Sequence, residues 1–385
     1  MSDNNQDSKR NTDPDNQQRR NFLKTALASA GGAAGLSIIG AGVFPEDAMA
    51  GTDHSLPNPT APLHNLSGKV AFITGGSSGI GLGIARACSE AGMKVIITYR
   101  TPKHYQDAKA YFQGDNAGFH AISVDVTDRD GMARAADEAE KVFGKVHLLV
   151  NNAGVGGGAV TQATFKDWDF AVGVNILGVA NGVQIFVPRM IAHGEPAHVV
   201  STSSMSGLFI GGTATVYTTT KYAVVGMMES LRAELVPHKI GVSAFCPGVV
   251  RSNIRDFNRN RPDDLKNSDA VEKERNQERQ QMMARMRSRM TKEQLADMQK
   301  RYSDGAMDPL ECGRKVLRGV RRNDLFIITH PEYGQGIEDR CEALMLSIPS
   351  GDEPAPPARV AIEERVLTAQ IYTDEIRRLK GYGYD

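Results

Sequence analysis

Tyr217-Thr-Thr-Thr-Lys221 sets a phenol and an ammonium four residues apart, which puts both on one face of a helix. A neighbouring positive charge favours tyrosinate and lowers a tyrosine pKa from its reference near ~10. A group that moves protons near neutral pH requires that shift. Taken alone the pair is a common spelling, and an ordinary exposed helix pair has the same spacing. Two hydroxyl groups, Ser203 and Ser204, lie upstream, and Ser204 stands thirteen residues before Tyr217.

A second candidate is Thr74-Gly75-Gly76-Ser77-Ser78-Gly79-Ile80-Gly81, which follows a β-branched run and opens a helical pattern. Glycines at 75, 79 and 81 allow a tight turn and let the backbone approach a pyrophosphate, toward which the helix N-terminus turns its free N–H groups and positive dipole end. The spacing is TGxxxGxG rather than GxGxxG. The next apolar run closes at Thr98-Tyr99-Arg100. An acidic residue at the end of that strand would hold the ribose 2′-hydroxyl of NAD; Tyr99 occupies the position and Arg100 follows. A guanidinium pairs with a 2′-phosphate, so NADP(H) is favoured and NAD(H) stays possible, with Lys103 a further cation. His193, His198, His238 and His330 have no metal-ligand spacing, so each is expected to be structural or solvated and no metal is expected.

The elements that must position these groups follow from periodicity. Strands are expected at Val70–Thr74, Lys94–Tyr99, Gly118–Val124, His147–Asn151, Ala197–Thr202, Gly241–Cys246 and Leu325–Thr329. Helical stretches alternate with them, so the fold class is α/β with a doubly wound parallel sheet of the Rossmann type. A single domain spans residues 65–348, with residues 256–305 as a helical lid insertion. Met282, Met283, Met286 and Met290 share one face there, either as an adaptable apolar lid over a bulky substrate or as packing against the sheet or a neighbouring subunit. Thr291-Lys-Glu-Gln294 spells a capping box. Ile348–Arg359 reads as a Pro-rich linker, and residues 360–380 as a terminal amphipathic helix.

The chain has 385 residues with 45 basic and 45 acidic side chains, so it has no electrostatic footprint for nucleic acid. Four cysteines do not make a disulfide scaffold, and Cys88 and Cys246 fall in apolar patterns as buried thiols. The N-terminus is different in kind. Arg19-Arg20-Asn21-Phe22-Leu23-Lys24 precedes an uncharged run, Thr25 to Pro45, and Ala48-Met49-Ala50 follows. This resembles a bacterial twin-arginine (Tat) signal peptide over residues 1–50, departing only at Gln18, where Ser or Thr is usual. Cleavage after Ala50 leaves a periplasmic or otherwise exported protein with residues 51–64 as a linker. The run is long enough to span a bilayer as an uncleaved anchor, but its Gly and Ala content disfavours stable insertion. The Tat route exports folded proteins, so a cofactor can be loaded in the cytoplasm, and because the periplasm has no substantial free nicotinamide pool its tight retention is expected.

Leu149-Val150-Asn151-Asn152-Ala153-Gly154, the Ser204–Tyr217 spacing and Pro247-Gly248-Val249-Val250 complete a set. In order, TGxxxGxG, NNAG, Ser-13-Tyr, YxxxK and PG resemble the short-chain dehydrogenase/reductase family, in its compact single-domain branch, over about residues 66–335. The resemblance implies an oxidoreductase that exchanges hydride between a nicotinamide cofactor and a secondary alcohol or ketone. It implies Tyr217 as the acid/base, Ser204 as the group that orients the substrate oxygen and Lys221 as the ligand of the nicotinamide ribose. Asn175, in Gly173-Val-Asn-Ile-Leu-Gly178, matches the asparagine that supports a proton-relay water. The cofactor set is implied to be Gly75, Ser77, Ser78, Gly79, Ile80, Gly81, Tyr99, Arg100, Asp125, Val126, Asn152, Ala153, Gly154, Tyr217, Lys221, Pro247, Gly248, Val250 and Ser252. A homodimer or homotetramer is the family expectation. Phe186-Val-Pro-Arg-Met-Ile191, Ser252-Asn-Ile254 and Thr329-His-Pro-Glu332 are similar to members that oxidise bulky aromatic alcohols, including lignin-derived ones. Those enzymes generally use NAD, against the Tyr99-Arg100 signal. A non-catalytic sensor on the same fold is the competing class, which the intact Ser204/Tyr217/Lys221 set opposes. A sugar epimerase would favour TGxxGxxG.

Overall fold

The computed structural model describes residues 62–112, 118–212, 214–349, 355–366 and 371–382; the twin-arginine segment and most of the linker lie outside them. Short β-branched runs form seven parallel strands, β1 (Val70–Ile73), β2 (Lys94–Tyr99), β3 (Phe119–Ser123), β4 (Leu148–Asn151), β5 (Ala197–Thr202), β6 (Ile240–Cys246) and β7 (Phe326–Ile328), in the order β3-β2-β1-β4-β5-β6-β7. All residues of β1, β4, β5 and β6 are buried, as unbroken apolar strands covered on both faces must be. The chain order reverses between β1 and β4, which opens a crevice at their carboxyl ends where such folds bind ligands.

Helices α1 (Gly79–Glu90), α2 (Pro102–Lys109), α3 (Arg129–Phe143), α4 (Phe165–Val172), α5 (Gly178–His193) and α6 (Thr215–Leu235) make the crossovers. One π-helical turn, Gly173–Leu177, joins α4 to α5. The continuous stretch Phe165–His193 is long and apolar enough to cross a membrane by length and composition. Its Phe170, Phe186 and Met190 are nevertheless buried in the core cluster with Phe72 and Leu149. The opposite core gathers Ile73, Ile84, Ile97, Val150 and Val316. Leu63, assigned to the linker, is 1% exposed in that second core, so the chain joins the fold before residue 65.

After β6 come α7 (Asp269–Ser288), α8 (Lys292–Gly305), α9 (Pro309–Arg322) and α10 (Gly334–Leu346). The capping box forms: the Thr291 amide donates to Gln294 Oε1 and the Gln294 amide to Thr291 Oγ1. The expected methionine face is only partly described; Met283 is exposed, and the side chains of Met282 and Met286 lie outside the described set. The terminal segment holds two helices, α11 (Pro357–Val366) and α12 (Ile371–Tyr382), rather than one. Glu375 on α12 accepts the Leu325 amide at 2.8 Å and pairs with Arg378. The last helix thus covers the start of edge strand β7, a position that would otherwise leave a backbone donor unpaired.

Candidate active site

The turns after β1 and β4 are sewn together. Buried Thr74 accepts the amides of Asn152 and Ala153 on Oγ1 at 2.9 and 3.0 Å. The Asn152 side chain returns donors to the carbonyls of Thr74 at 3.0 Å and Gly75 at 3.3 Å. Gly75 and Gly79 have φ of +63° and +51°, the left-handed region where a side chain is strained. A Cβ on Gly81 would overlap Gly75 O and Asn152 Nδ2. Ser78 is the N-cap of α1 in extended conformation and makes no side-chain cap bond, so the first N–H groups of α1 keep their capacity for an anionic partner.

At the end of β2, Arg100 Nε lies 3.2 Å from Asp125 Oδ2, and its Nη1 donates to Asn260 O at 2.8 Å. Thus two residues read separately from the sequence form one pair. Asp125 is held in turn by the Thr127 amide and hydroxyl, both at 2.9 Å, while Tyr99 stacks on Tyr105 with centroids 4.8 Å apart. Val126 packs in the core and its carbonyl accepts Asn181 Nδ2 at 2.8 Å.

Beyond β5 the two serines separate. Ser203 is buried and its hydroxyl is committed to Lys221 O, to which it donates at 2.8 Å. Ser204 caps the turn Met205–Gly207, its Oγ accepting the Ser206 amide at 3.2 Å, and it lines the cavity beside Tyr217. Lys221 is 4% exposed; its Nζ donates to Thr202 O at 2.8 Å and stands 5.4 Å from the Tyr217 ring centroid. Burial holds Lys221 down to about 8. Burial likewise pushes Tyr217 up from its ordinary value, and the neighbouring Ser204 side chain only partly offsets this. The lowering of Tyr217 is expected from Lys221 together with an oxidised nicotinamide, and without that second charge the phenol stays raised. Burying both groups disfavours both charged forms, and a further positive charge beside the phenol is needed to reverse the balance. Cys246, next to both, is pushed up to about 12 by burial and is a neutral thiol.

All of the anticipated site residues except Asn175 line one cavity of about 350 Å³, within the size range of small-molecule and cofactor sites. Asn175, 1% exposed, stands behind the wall. Its Oδ1 accepts the Val155 amide at 2.8 Å, and its Nδ2 donates to Val155 O at 2.9 Å and Thr220 Oγ1 at 3.0 Å. Its side chain thus fixes the loop after β4 to α6, and the π-turn that carries it breaks an otherwise continuous helix. The Pro247–Val250 loop is clasped by Thr329 Oγ1 and His330 Nδ1, each 3.2 Å from the Gly248 amide, and Pro247 O accepts the Met205 amide at 3.0 Å. Ser252 faces the glycine turn, 3.0 Å from where a Gly79 Cβ would lie. Among the described residues no group of His, Cys, Asp or Glu could hold a metal ion.

Thr74 and Thr98 (which accepts the Gly75 amide at 3.1 Å) stand in the two sequence motifs without a role assigned to them, and Asn260 and Phe257 have no sequence signal at all. Thr74 was legible in principle, since a hydroxyl directly before the glycine turn sits where two loops must be joined. Asn260 and Phe257 come from the insertion, whose path over the cleft has no periodic signature.

The donor set suits a nicotinamide dinucleotide: an uncapped helix N-terminus beside a glycine turn, a cation at the end of β2, and a Ser/Tyr/Lys group at the opposite wall. Comparison with known proteins agrees. The family model for short chain dehydrogenase matches residues 69–263. The C alpha-dehydrogenase of Sphingobium sp. (strain SYK-6) is 35% identical over 303 residues, covering 78% of this chain and 93% of the relative. The crystal structure of apo LigO from the same strain is 37% identical, with a TM-score of 0.60, over 79% of this chain and 98% of LigO. A short chain dehydrogenase/reductase from Burkholderia phymatum, solved in complex with NAD, is 30% identical with a TM-score of 0.63, over 76% of this chain and 99% of that one. The chain belongs to the short chain dehydrogenase family of oxidoreductases.

Proposed function

We propose that this protein is an exported NADP(H)-dependent oxidoreductase that interconverts a secondary alcohol and its ketone, with a bulky or aromatic substrate. The observation that carries the reading is that Ser204, Tyr217 and Lys221 line the glycine-turn cavity together, with the Lys221 ammonium 5.4 Å from the Tyr217 ring. When bound, the nicotinamide carries the hydride and, oxidised, adds a positive charge. Tyr217 takes the hydroxyl proton of the alcohol at its phenolic oxygen and returns it to the ketone oxygen in the reverse direction. Ser204 donates a hydrogen bond to the same substrate oxygen and fixes its position. Lys221, anchored to Thr202 O, keeps a cation by the phenol and holds the ribose hydroxyls. Gly75, Gly79 and Gly81 admit the pyrophosphate, and Pro247–Val250 holds the carboxamide.

Arg100 supports NADP(H) by presenting a guanidinium to a 2′-phosphate. NAD(H) is the second reading, because Asp125 already pairs with Arg100 and the Burkholderia phymatum relative was solved with NAD. An apolar wall of Val155, Ile254 and Phe257 supports a bulky substrate, as does the likeness to a C alpha-dehydrogenase. Export through the Tat route, signal removal without stable membrane insertion, and a homodimer or homotetramer complete the reading. The signal itself, residues 1–50, lies outside the described residues. Steady-state assay of the mature chain against a panel of aryl and alkyl secondary alcohols and ketones, with both cofactors, tests it. Binding of NADP(H) without turnover of any of them would favour a non-catalytic sensor.

A further inference from the structure

Residues 254–261 cross the cleft as a strap. At one end, Asn260 O accepts Arg100 Nη1 at 2.8 Å, and Asn260 Oδ1 accepts the Thr101 hydroxyl at 3.1 Å. At the other, Phe257 covers the loop after β4, its Cδ1 2.6 Å from where a Cβ on Gly156 would lie. Phe257 and Asn260 both line the cavity. A molecule lying along the glycine turn therefore has this strap between itself and solvent.

What holds the strap shut lies outside the cavity. Asp167, in the first turn of α4, accepts Arg261 Nη2 and Arg275 Nη2 at 2.6 Å each, Asn267 Nδ2 at 3.2 Å, and the Thr164 amide at 2.7 Å. Three of these donors belong to the insertion. Arg261 directly follows Asn260 and is 7% exposed; its Nε is buried without a partner, and its other acceptor is Leu265 O at 3.4 Å. Its guanidinium also lies 5.0 Å from the centroid of the Phe170 ring. Burial would raise the Asp167 pKa, but hydrogen bonds from Arg275, Thr164, Arg261 and Asn267 outweigh it and keep the carboxyl well below the usual range. Exposed ion pairs contribute little, whereas removing one partner from a buried pair leaves an uncompensated charge. The strap's surface bonds at Asn260 are hydrogen bonds to uncharged groups, whereas Asp167 belongs to a buried ionic cluster.

We propose that Asp167 is a positioning residue that latches the strap across the cleft and thereby sets the release rate of the bound nucleotide. The inference rests on the reading of the groove as a nicotinamide-nucleotide site. It gives a structural means for the tight retention that an exported enzyme requires.

The test is stopped-flow displacement of NADPH, with NADH as second probe, from the full mature chain. The proteins compared are wild type, Asp167→Asn, Arg275→Gln and a control, Glu375→Gln, whose buried carboxylate serves the distant β7 edge. Release is expected to accelerate at least tenfold in Asp167→Asn and severalfold in Arg275→Gln. The cofactor KM should rise while the single-turnover rate of prebound nucleotide stays within twofold. Arg275 is only partly buried, so its variant carries the test if Asp167→Asn does not fold. Release within twofold of wild type in the variants that fold overturns the latch. So does equal acceleration in Glu375→Gln, which would mark general loosening. A wild-type chain that binds neither nucleotide overturns the cofactor reading itself, and the latch with it.

Discussion

Arg100→Ala separates the two cofactor readings. The guanidinium has two partners in the structure, Asp125 through Nε and Asn260 O through Nη1, so the substitution removes two things. Loss of the Asn260 bond, about 1 kcal/mol, loosens the strap regardless of which nucleotide is bound and lowers kcat/KM for both by a similar factor. Loss of the cation acts only on a 2′-phosphate. A hydrogen bond to a charged group is worth ~1.5–3 kcal/mol; with the side chain 35% exposed and one edge taken by Asp125, the lower end applies. About 1.5 kcal/mol is roughly a tenfold change. The released Asp125 carboxylate, still facing the site, adds to the discrimination by repelling the phosphate. Initial rates at fixed substrate with NADP(H) and NAD(H) should therefore show the ratio of the two kcat/KM values falling about tenfold or more, on top of a common loss. A ratio unchanged within twofold, or a wild-type enzyme that already prefers NAD(H), refutes the assignment of Arg100 to the 2′-phosphate.

Two other perturbations probe the frame of the site. Gly81→Ala forces a Cβ onto Gly75 O and Asn152 Nδ2; overpacking of this kind costs about 1–3 kcal/mol, so the melting temperature should fall, and NADPH affinity, measured by fluorescence titration, should drop at least tenfold. His198 is fully buried, its Nε2 shares a 2.8 Å hydrogen bond with Ser243 and its Nδ1 has no partner, and burial holds its pKa down to about 3. Because the folded pKa lies below the unfolded value near ~6.5, the unfolded chain takes up the proton first. Stability should thus be lost as pH falls from about 6.5 toward 3, at about 1.4 kcal/mol per pH unit from this group. Denaturant unfolding at pH 6 and pH 5 should show that His198→Gln flattens the slope by about that amount; an unchanged slope would refute the assignment.

The sheet was readable because a parallel strand buried on both faces writes itself as an uninterrupted β-branched run, and each of the seven strands was anticipated to within two residues of its ends. The glycine turn and the Tyr217/Lys221 pair were readable because their function imposes fixed spacing on contiguous chain. The choice of Ser204 over Ser203 has a physical counterpart: the Ser203 hydroxyl is committed to the backbone of α6, while Ser204 lines the cavity beside Tyr217 without such a commitment to α6. What could not be read depends on distance in the chain. The Arg100–Asp125 pair joins separate strand ends, and the Asp167 cluster joins α4 to residues about one hundred positions later. Neither leaves a local pattern. The opposing effect of burial on Tyr217 and Lys221 is hidden for a related reason: it acts on both groups and cannot be seen in their spacing, whereas the lowering of Tyr217 is expected from Lys221 together with an oxidised nicotinamide.

The central claim is that Tyr217 transfers the substrate proton. The measurement that tests it most directly is kcat/KM of Tyr217→Phe beside wild type on an alcohol the wild type oxidises, with NADPH affinity and melting temperature as controls. A loss of about 10²–10⁴-fold is predicted, the range a positioned acid/base supplies, with the nucleotide still bound; turnover within a few-fold of wild type would contradict the account.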